Sequence, residues 1–352
     1  MTTTPSIPAP TAPIAAAAAF ATLPPAGQLA CVEQLARQAL PLYGLPPDSE
    51  IKLLNYSENA TWLIRPTGAV APRVLRINRP GYHSRANILS ELDWVLAVRR
   101  DTPIVTAEPI PALDGEYIQH IWHPSVPEPR NCVLFSFVNG TEPDETNRTA
   151  AFELLGEVTA QLHKHTVAWR PTRPVTRFRW DFDNMLGPRG YWGRWQDAPD
   201  MTPALEQQIA ERLLPVLRRR SAGIGYAPER FGLIHADLRA ANLLVKDNTV
   251  AVIDFDDCGT SWLIYDLASA LSFIEAHPDV PAYIDAWLRG YGKVRKLSAE
   301  EIAEIDTFVM MRRLLLWAWI GSHADTAQAQ SVRPGYGTDT AVLIDRYLSR
   351  FG

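Results

Sequence analysis

Apolar runs and turn-forming residues alternate along the first 140 residues and predict short strands flanked by helices. The segment QLACVEQLARQALPLYG has helical spacing and stops at Gly44. Three strand-length runs follow, EIKLLN, ATWLIRP and PRVLRIN, which are separated by Pro, Gly, Asn or Ser. Because apolar runs of this length bounded by turn residues are typical of hairpins, we predict an antiparallel meander.

A second helix and two further strands complete this half of the chain. SRANILSELDWVLAVRR repeats its apolar residues at the spacing of one helical face, and Ser84 precedes it as an N-cap. EYIQHIW and CVLFSFVNG then predict two more strands, which end at Gly140. The predicted order is therefore β-β-β-α-β-β, a small sheet-rich unit.

From about Asp144 the pattern becomes mainly helical. A long amphipathic helix, NRTAAFELLGEVTAQLHKHT, is followed by an Arg- and Trp-rich connector, RFRWDFDNMLGPRGYWGRW, and by a helix, TPALEQQIAERLLPVLRRR. LLVKDNTVAVID predicts a tight hairpin that ends at Asp254, and the remainder is mostly helical. We predict an α+β fold with a disordered tail (1–27), an N-lobe (28–140) and a C-lobe (141–352).

Composition narrows the choice of protein class. The 352 residues are 47% hydrophobic and 21% charged, as in a globular protein, and no apolar run is long enough to cross a membrane. A net charge of −5 gives no sign of a nucleic-acid or membrane partner.

Cys31, Cys132 and Cys258 form neither a metal-type spacing nor a disulfide framework, which predicts a cytoplasmic protein. Residues 1–27 lack the basic start of a signal peptide, which favours a Pro/Ala/Thr-rich disordered tail instead.

The candidate chemistry lies in two short stretches of the second half. LIHADLRAANLLV has the form H-x-D-x4-N and offers Asp237 and Asn242, and the next strand ends at Asp254. A carboxylate that orients a hydroxyl, with an amide and a carboxylate that hold Mg²⁺, is the set that phosphoryl transfer needs. Each residue alone could be an ordinary loop or turn residue, but the three together favour catalysis.

HADLRAANLLV followed by VIDFDDCGTSWLIYDLA resembles the aminoglycoside phosphotransferase, choline kinase and homoserine kinase superfamily, whose members share the protein-kinase fold. The resemblance covers nearly everything from residue 28 onward. Protein kinases carry H-R-D and D-F-G at these places. Here Ala236 replaces the arginine, and Asp256 stands in place of the glycine, as is usual for small-molecule kinases.

The resemblance assigns roles to the residues of the two stretches. It implies that Asp237 is the catalytic aspartate and that Asn242 and Asp254 are the metal ligands. It implies that His235 braces the loop and that Asp266 caps or anchors a C-lobe helix. Asp256 adds a direct or indirect metal contact in this scheme.

The resemblance also places the nucleotide in the N-lobe. Arg76 stands where kinases place the phosphate-binding lysine, and Glu91 stands where a helix glutamate pairs with that cation. Arginine supplies the same charge with a flat fork suited to phosphate oxygens. Either residue could instead face solvent, and the assignment of Glu91 depends on that of Arg76.

Two further nucleotide contacts follow from the same resemblance. NYSENATWLI occupies the place of the glycine-rich loop, where Ser57 and Asn59 support a tight turn whose backbone N–H groups face phosphate. LFSFVNG is the expected hinge, with adenine bonded to the backbone around Phe135 to Phe137.

Other conspicuous side chains are interpreted as structural. We expect His163 and His165 to be packed or solvated rather than ligands, and Trp180, Trp192 and Trp195 to pack together. The connector that holds these tryptophans often forms part of the acceptor pocket in related kinases. The run RRLLLWAWIGSH predicts a core helix with a basic edge.

The expected activity is ATP-dependent transfer of the γ-phosphoryl group to a hydroxyl of a small molecule, with Mg²⁺. RVLRINRPGYHSRANILSELDWVL and IDFDDCG are closer to homoserine-kinase-like and stress-response-kinase-like members, so we expect an amino alcohol or similar metabolite. A Ser/Thr protein kinase of the stress-response type and an aminoglycoside-type antibiotic phosphotransferase stay open as alternatives. Intact Asp237, Asn242 and Asp254 argue against a nucleotide-binding module without catalysis. The oligomeric state is open.

Overall fold

The structure is a computed structural model that describes residues 20–56, 59–68, 70–247 and 249–352. These residues form two compact units. The first unit comprises the described residues up to Leu92 together with Ala107–Phe137, and the second comprises Asp93–Thr106 and Val138–Gly352. Residues 1–19 of the expected tail lie outside the described residues. The division of nucleotide and acceptor binding between two lobes stays a prediction.

The first unit is built on an antiparallel six-stranded sheet with the strand order β1-β2-β3-β6-β4, and β5 also pairs with β6. The predicted strands and helices are confirmed, and β4 is an additional strand of two residues. Its elements are α1 (Pro25–Leu42), β1 (Glu50–Tyr56), β2 (Ala60–Arg65), β3 (Arg73–Ile77), β4 (Pro109–Ile110), β5 (Ile118–Ile121) and β6 (Arg130–Ser136). Helix α2 (Arg85–Asp101) begins in this unit and ends in the second.

The ends of the first two helices follow from their sequences. Gly44 has φ +69°, and its N–H and that of Leu45 donate to Pro41 and Leu40, which closes the last turn of α1 as a Schellman motif. The predicted N-cap of α2 is confirmed, because Ser84 Oγ accepts from the backbone N–H of Asn87 at 3.2 Å.

The second unit is mainly helical. Its helices are α3 (Arg148–Ala168), α4 (Phe182–Leu186), α5 (Pro203–Gln208), α6 (Leu214–Gly223), α7 (Tyr265–Ala270), α8 (Val280–Gly292), α9 (Ala299–Ala303), α10 (Ile305–Ser322), α11 (Ala327–Val332) and α12 (Tyr336–Phe351). Its strands are β7 (Phe178–Arg179), β8 (Phe231–Ile234), β9 (Leu243–Lys246), β10 (Thr249–Val252) and β11 (Gly259–Trp262). The predicted hairpin is β9 paired with β10.

Two sequence predictions for this unit were incomplete. The helix expected over 202–220 is interrupted by a π turn at Ile209–Leu213, between α5 and α6. The expected connector contributes β7 and α4, and β7 joins a small sheet with the order β7-β11-β8. These strands have only two to four residues, so they carry too little periodicity to be recognised from the pattern.

Two glycines let α3 and α8 approach closely. A Cβ at Gly156 would lie 2.1 Å from the carbonyl oxygen of Trp287, and one at Gly290 would lie 1.8 Å from that of Glu153. Helix α10 is apolar almost all round and runs through the core, although it carries two buried arginines, Arg312 and Arg313. A buried charge needs a partner, and each of these arginines pairs with a carboxylate.

The three cysteines, all within the described residues, form no disulfide. Cys132 lies in the core of the first unit and Cys258 in the core of the second, whereas Cys31 is partly exposed. Burial raises the pKa of Cys132 to about 12. Among the described helices, none combines the length and apolar character that crossing a bilayer requires.

Candidate active site

The H-x-D-x4-N loop follows β8, and its backbone is held from α7. Ala236 has a left-handed φ of 65°, a conformation that costs an L-residue about 1–2 kcal/mol. Asp266, in the first turn of α7, accepts from the N–H of Ala236 at 2.7 Å and from that of His235 at 3.3 Å. Asp266 was expected to anchor a helix, but the structure shows that it fixes the path of this loop.

His235 links the loop to the strand that leads to Asp254. Its Nδ1 accepts from the N–H of Asp237 at 3.2 Å, which leaves Nε2 as the donor to the carbonyl oxygen of Ile253 at 3.1 Å. The ring also packs on Phe255, with the two ring centres 4.5 Å apart. His235 therefore braces the loop, as the family resemblance implied.

The carboxylate of Asp237 is surrounded by donors. Its Oδ1 accepts from Arg312 Nη2 at 2.6 Å, and its Oδ2 accepts from Asn242 Nδ2 at 2.7 Å and from Arg239 Nε at 3.2 Å. Burial alone would raise the pKa of Asp237, but the positive charges of Arg239 and Arg312 outweigh it and lower the pKa. The side chain thus carries a negative charge at neutral pH, which suits it to orient a hydroxyl group.

Asn242 and Asp254 are brought together by the β9–β10 hairpin. Leu243 pairs with Val252, and just beyond this pair the N–H of Ile253 donates to the carbonyl oxygen of Asn242 at 3.0 Å. Asp254 is the next residue, with a left-handed φ of 62° and an exposed side chain. The two predicted metal ligands therefore lie at one end of the hairpin.

The donor set at this end of the hairpin fits a hard divalent cation. Asn242 Nδ2 donates to Asp237, so the amide oxygen Oδ1 of Asn242 points away from Asp237. With the Asp254 carboxylate this gives two oxygen ligands of the kind that Mg²⁺ takes, usually together with substrate phosphates and water. Within the described ranges, no three His, Cys, Asp or Glu side chains form a metal-binding group.

The connector fixes the segment that follows Asp254. Arg177 Nε donates to the carbonyl oxygen of Cys258 at 2.6 Å, and the same guanidinium donates to the carbonyl oxygen of Asp256. Trp180 Nε1 donates to the carbonyl oxygen of Asp257 at 2.8 Å. Trp180 was interpreted as a packing residue; it is buried, and it also holds the acidic segment in place.

In the first unit, Arg76 on β3 and Glu91 on α2 form the predicted ion pair. Two parallel hydrogen bonds of 2.7 Å join them, and their side chains are 6% and 1% exposed. The ring of Phe135 lies 5.2 Å from the guanidinium carbon of Arg76. Because its side chain is buried, Arg76 does not face solvent. Its contact with phosphate stays a prediction.

The other predicted nucleotide contacts are only partly described. Ser57 lies outside the described residues. Asn59 Oδ1 accepts from the N–H of Arg79 at 3.1 Å and from Asn78 Nδ2 at 3.4 Å, so it braces the chain after β3. Phe135 belongs to β6, whereas Phe137 is the first residue after this strand and is exposed. The phosphate and hinge roles of these residues stay predictions.

Sequence reasoning missed Arg312, the arginine that binds Asp237. The available signal was the pair Arg312-Arg313 inside an otherwise apolar helix, because charges in a buried helix require partners. Arg313 pairs with the buried Glu275 at 2.9 Å, and Arg312 pairs with Asp237. The sequence does not show which arginine pairs with which carboxylate.

The chain is similar to known phosphotransferases. The model of a phosphotransferase enzyme family, APH, matches residues 51–304. The structure of a microcompartment-associated aminopropanol kinase is 39% identical, with a TM-score of 0.83 over 91% of this chain and 98% of that chain.

Two amicoumacin kinases are also similar to the chain. One, from Bacillus subtilis (strain 168), is 25% identical over 303 residues, which are 81% of this chain and 83% of that protein. The structure of another, in complex with AMP-PNP, Ca²⁺ and Ami, has a TM-score of 0.74 at 20% identity, over 92% of this chain and 96% of that chain. At that identity the likeness concerns the fold alone.

Proposed function

The chain belongs to the APH phosphotransferase enzyme family, and from that premise we propose that it transfers the γ-phosphoryl group of ATP to the hydroxyl of a small amino alcohol. Phosphotransferase activity on a hydroxyl-bearing small molecule and the protein-kinase-like fold agree with the predictions from the sequence. ATP and a divalent cation are the cofactors of this activity.

The observation that carries the proposal is the group formed by Asp237, Asn242 and Asp254. Asp237 is ionised and rigidly held, so it would accept a hydrogen bond from the acceptor hydroxyl and align its oxygen with the γ-phosphorus. Asn242 and Asp254 would hold Mg²⁺, which when bound neutralises charge on the phosphates. Arg76, fixed by Glu91, would bind the α- and β-phosphates.

An amino alcohol is the acceptor class that we favour. The relative with 39% identity is described as an aminopropanol kinase. A net charge of −5 also favours a cationic amine over an anionic acceptor in long-range attraction. Amicoumacin is the second candidate, because the Bacillus subtilis relative is described as an amicoumacin kinase.

We propose further that the protein acts in the cytoplasm without nucleic-acid or membrane partners. The unoxidised cysteines and the acidic net charge support this proposal. The Ser/Thr protein kinase alternative has less support, because the relatives described above carry the names of small-molecule kinases.

A direct assay tests the proposal. The protein would be incubated with labelled ATP, Mg²⁺ and, in turn, 1-amino-2-propanol, ethanolamine, homoserine, amicoumacin or denatured lysate proteins. We expect an amino alcohol to be phosphorylated fastest. Labelling of lysate proteins alone would favour the protein-kinase alternative instead.

The Asp237→Asn variant tests the catalytic assignment. Because positioned acid–base groups contribute about 10²–10⁴-fold to rate, we expect kcat to fall by that order. The thermal shift caused by ATP and Mg²⁺ should persist, since binding to the folded state alone still stabilises it. An Asp237→Asn protein with the wild-type kcat would overturn the assignment.

A further inference from the structure

We propose that Arg312 is a positioning residue for phosphoryl transfer, which holds Asp237 so that its Oδ1, and not its Oδ2, receives the acceptor hydroxyl. The inference rests on the proposed function, because it assumes that Asp237 orients the acceptor. It adds a residue that lies 75 positions further along the chain, on α10.

The inference begins with the lone pairs of the Asp237 carboxylate. Each carboxylate oxygen offers two acceptor positions in its plane. Both positions of Oδ2 are used, by Asn242 Nδ2 at 2.7 Å and by Arg239 Nε at 3.2 Å. Within the described part of the chain, Oδ1 accepts from Arg312 Nη2 alone, at 2.6 Å. The remaining acceptor position for a substrate hydroxyl therefore belongs to Oδ1.

Arg312 can fix this oxygen because the guanidinium is itself held on several sides. Its Nε donates to Ser272 Oγ at 2.9 Å, and its Nη1 donates to the carbonyl oxygen of Ala236 at 3.3 Å. The ring of Trp192 lies 5.0 Å from the guanidinium carbon, and the side chain is 1% exposed. A planar fork held in this way sets the rotamer of Asp237 before any substrate binds.

Arg313 provides an internal comparison for Arg312. Its guanidinium donates to Glu275 at 2.9 Å, to Thr340 Oγ1 at 2.8 Å and to the carbonyl oxygen of Tyr336 at 2.8 Å, and the side chain is 2% exposed. The two arginines thus share one helix, the same burial, a carboxylate partner and a hydroxyl partner. They differ in that Arg312 contacts the H-x-D-x4-N loop.

The experiment compares matched variants of the two arginines. Lysine keeps the charge but loses the fork, so Arg312→Lys should lower kcat by about tenfold or more, while the thermal shift with ATP and Mg²⁺ is retained. Arg313→Lys removes a comparable buried guanidinium that does not contact the H-x-D-x4-N loop. It should therefore leave kcat within about twofold of wild type. Equal losses of kcat in the two variants, per folded protein, would contradict the proposal.

A milder pair of variants guards against misfolding. Ser272→Ala removes the hydroxyl that accepts from Arg312 Nε, and Thr340→Ala removes the corresponding partner of Arg313. We expect Ser272→Ala to lower kcat by about two- to fivefold and Thr340→Ala to leave it unchanged. Unchanged kcat in Ser272→Ala together with a folded, fully active Arg312→Lys would overturn the proposal.

A double-mutant cycle separates this inference from the proposed function. If Arg312 acts through Asp237, Arg312→Lys should cause no further loss of kcat in the Asp237→Asn background. A full, additive loss would show that Arg312 acts independently of Asp237, although Asp237 itself could still be catalytic. Wild-type kcat in Asp237→Asn alone would instead remove the proposed function on which the inference rests.

Discussion

Arg76 and Glu91 face each other across the first unit and share two parallel hydrogen bonds, each 2.7 Å long. Arg76 comes from the middle of the sheet, and Glu91 comes from α2. Both side chains are buried, and each charge is compensated by the other. The pair fixes a cation on β3, which is the property that a phosphate-binding residue needs.

Loss of this pairing should destabilise the protein strongly. Removing one partner of a buried ion pair costs about 3–5 kcal/mol, so we expect Glu91→Gln to lower the free energy of unfolding by about 3 kcal/mol, measured with urea. If Arg76 binds phosphate, the KM for ATP should rise as well. Glu50→Gln is the control, because Glu50 pairs with Arg65 at 3.1 Å on the surface and should contribute less than about 1 kcal/mol. Similar losses in the two variants would show that burial of the Arg76–Glu91 pair adds no stability.

Substitution of Asp254 should act through the metal. If Asp254 is one of two protein oxygen ligands, Asp254→Ala should raise the Mg²⁺ concentration for half-maximal activity by about tenfold or more, since even the partners of ligands contribute about 10–100-fold to affinity. The measurement is a Mg²⁺ titration of kcat at saturating ATP. Asp247→Asn, an exposed change in the turn of the same hairpin, should leave the titration unchanged. An identical midpoint in Asp254→Ala and wild type would exclude Asp254 as a ligand.

Stability should depend on pH through His163. Its Nε2 lies 3.0 Å from Asp266 and its Nδ1 lies 2.9 Å from the hydroxyl oxygen of Tyr291. Burial lowers the pKa of His163 more than Asp266 raises it, so the folded state keeps the ring neutral. Below pH ~6.5, the usual value for histidine, the unfolded chain binds a proton that the folded state does not, so stability falls towards the lowered pKa.

The His163→Gln variant isolates this dependence. We expect the difference in unfolding free energy between wild type and His163→Gln to be constant above pH ~7 and to change between pH ~6.5 and 5, as the wild type loses stability. Urea unfolding of both proteins at a series of pH values provides the measurement. A difference that does not vary with pH would mean that His163 keeps its ordinary pKa in the folded protein.

Asp266 should keep the backbone of the H-x-D-x4-N loop ordered. Asp266→Asn replaces a carboxylate that accepts from two backbone N–H groups with an amide, and hydrogen bonds to charged groups contribute about 1.5–3 kcal/mol. We therefore expect the free energy of unfolding to fall by about 2 kcal/mol and the amide hydrogen of Ala236 to exchange faster. Asp285→Asn, an exposed change on α8, is the control and should alter neither quantity. Unchanged exchange at Ala236 in Asp266→Asn would contradict this role.

The parts of the molecule that sequence reasoning predicted depend on nearby residues. Arg76 and Glu91 are 15 positions apart, on a strand and the next helix, and the family resemblance was enough to pair them. Asn242 and Asp254 belong to one hairpin, and its apolar strands and turn residues set their register. In both cases the sequence carries the relevant geometry within a short span.

The parts that it missed depend on contacts between distant segments. Arg312 reaches Asp237 over 75 positions, and Arg177 reaches Asp256 over 79 positions. No local pattern specifies such partners, because packing of the complete unit decides which buried cation meets which acceptor. The same reason explains Asp266, whose helical setting suggested a cap although its oxygens turn towards the loop.

The placement of the cysteines gives each compact unit its own built-in reporter. Cys132 is sealed in the first unit and Cys258 in the second, while Cys31 is reachable from solvent. A thiol-specific reagent can therefore modify Cys31 at once but must wait for transient opening to reach either of the other two. Mass spectrometry would give the rates at which Cys132 and Cys258 are modified. These rates report how often each unit opens, and no label has to be introduced by mutation.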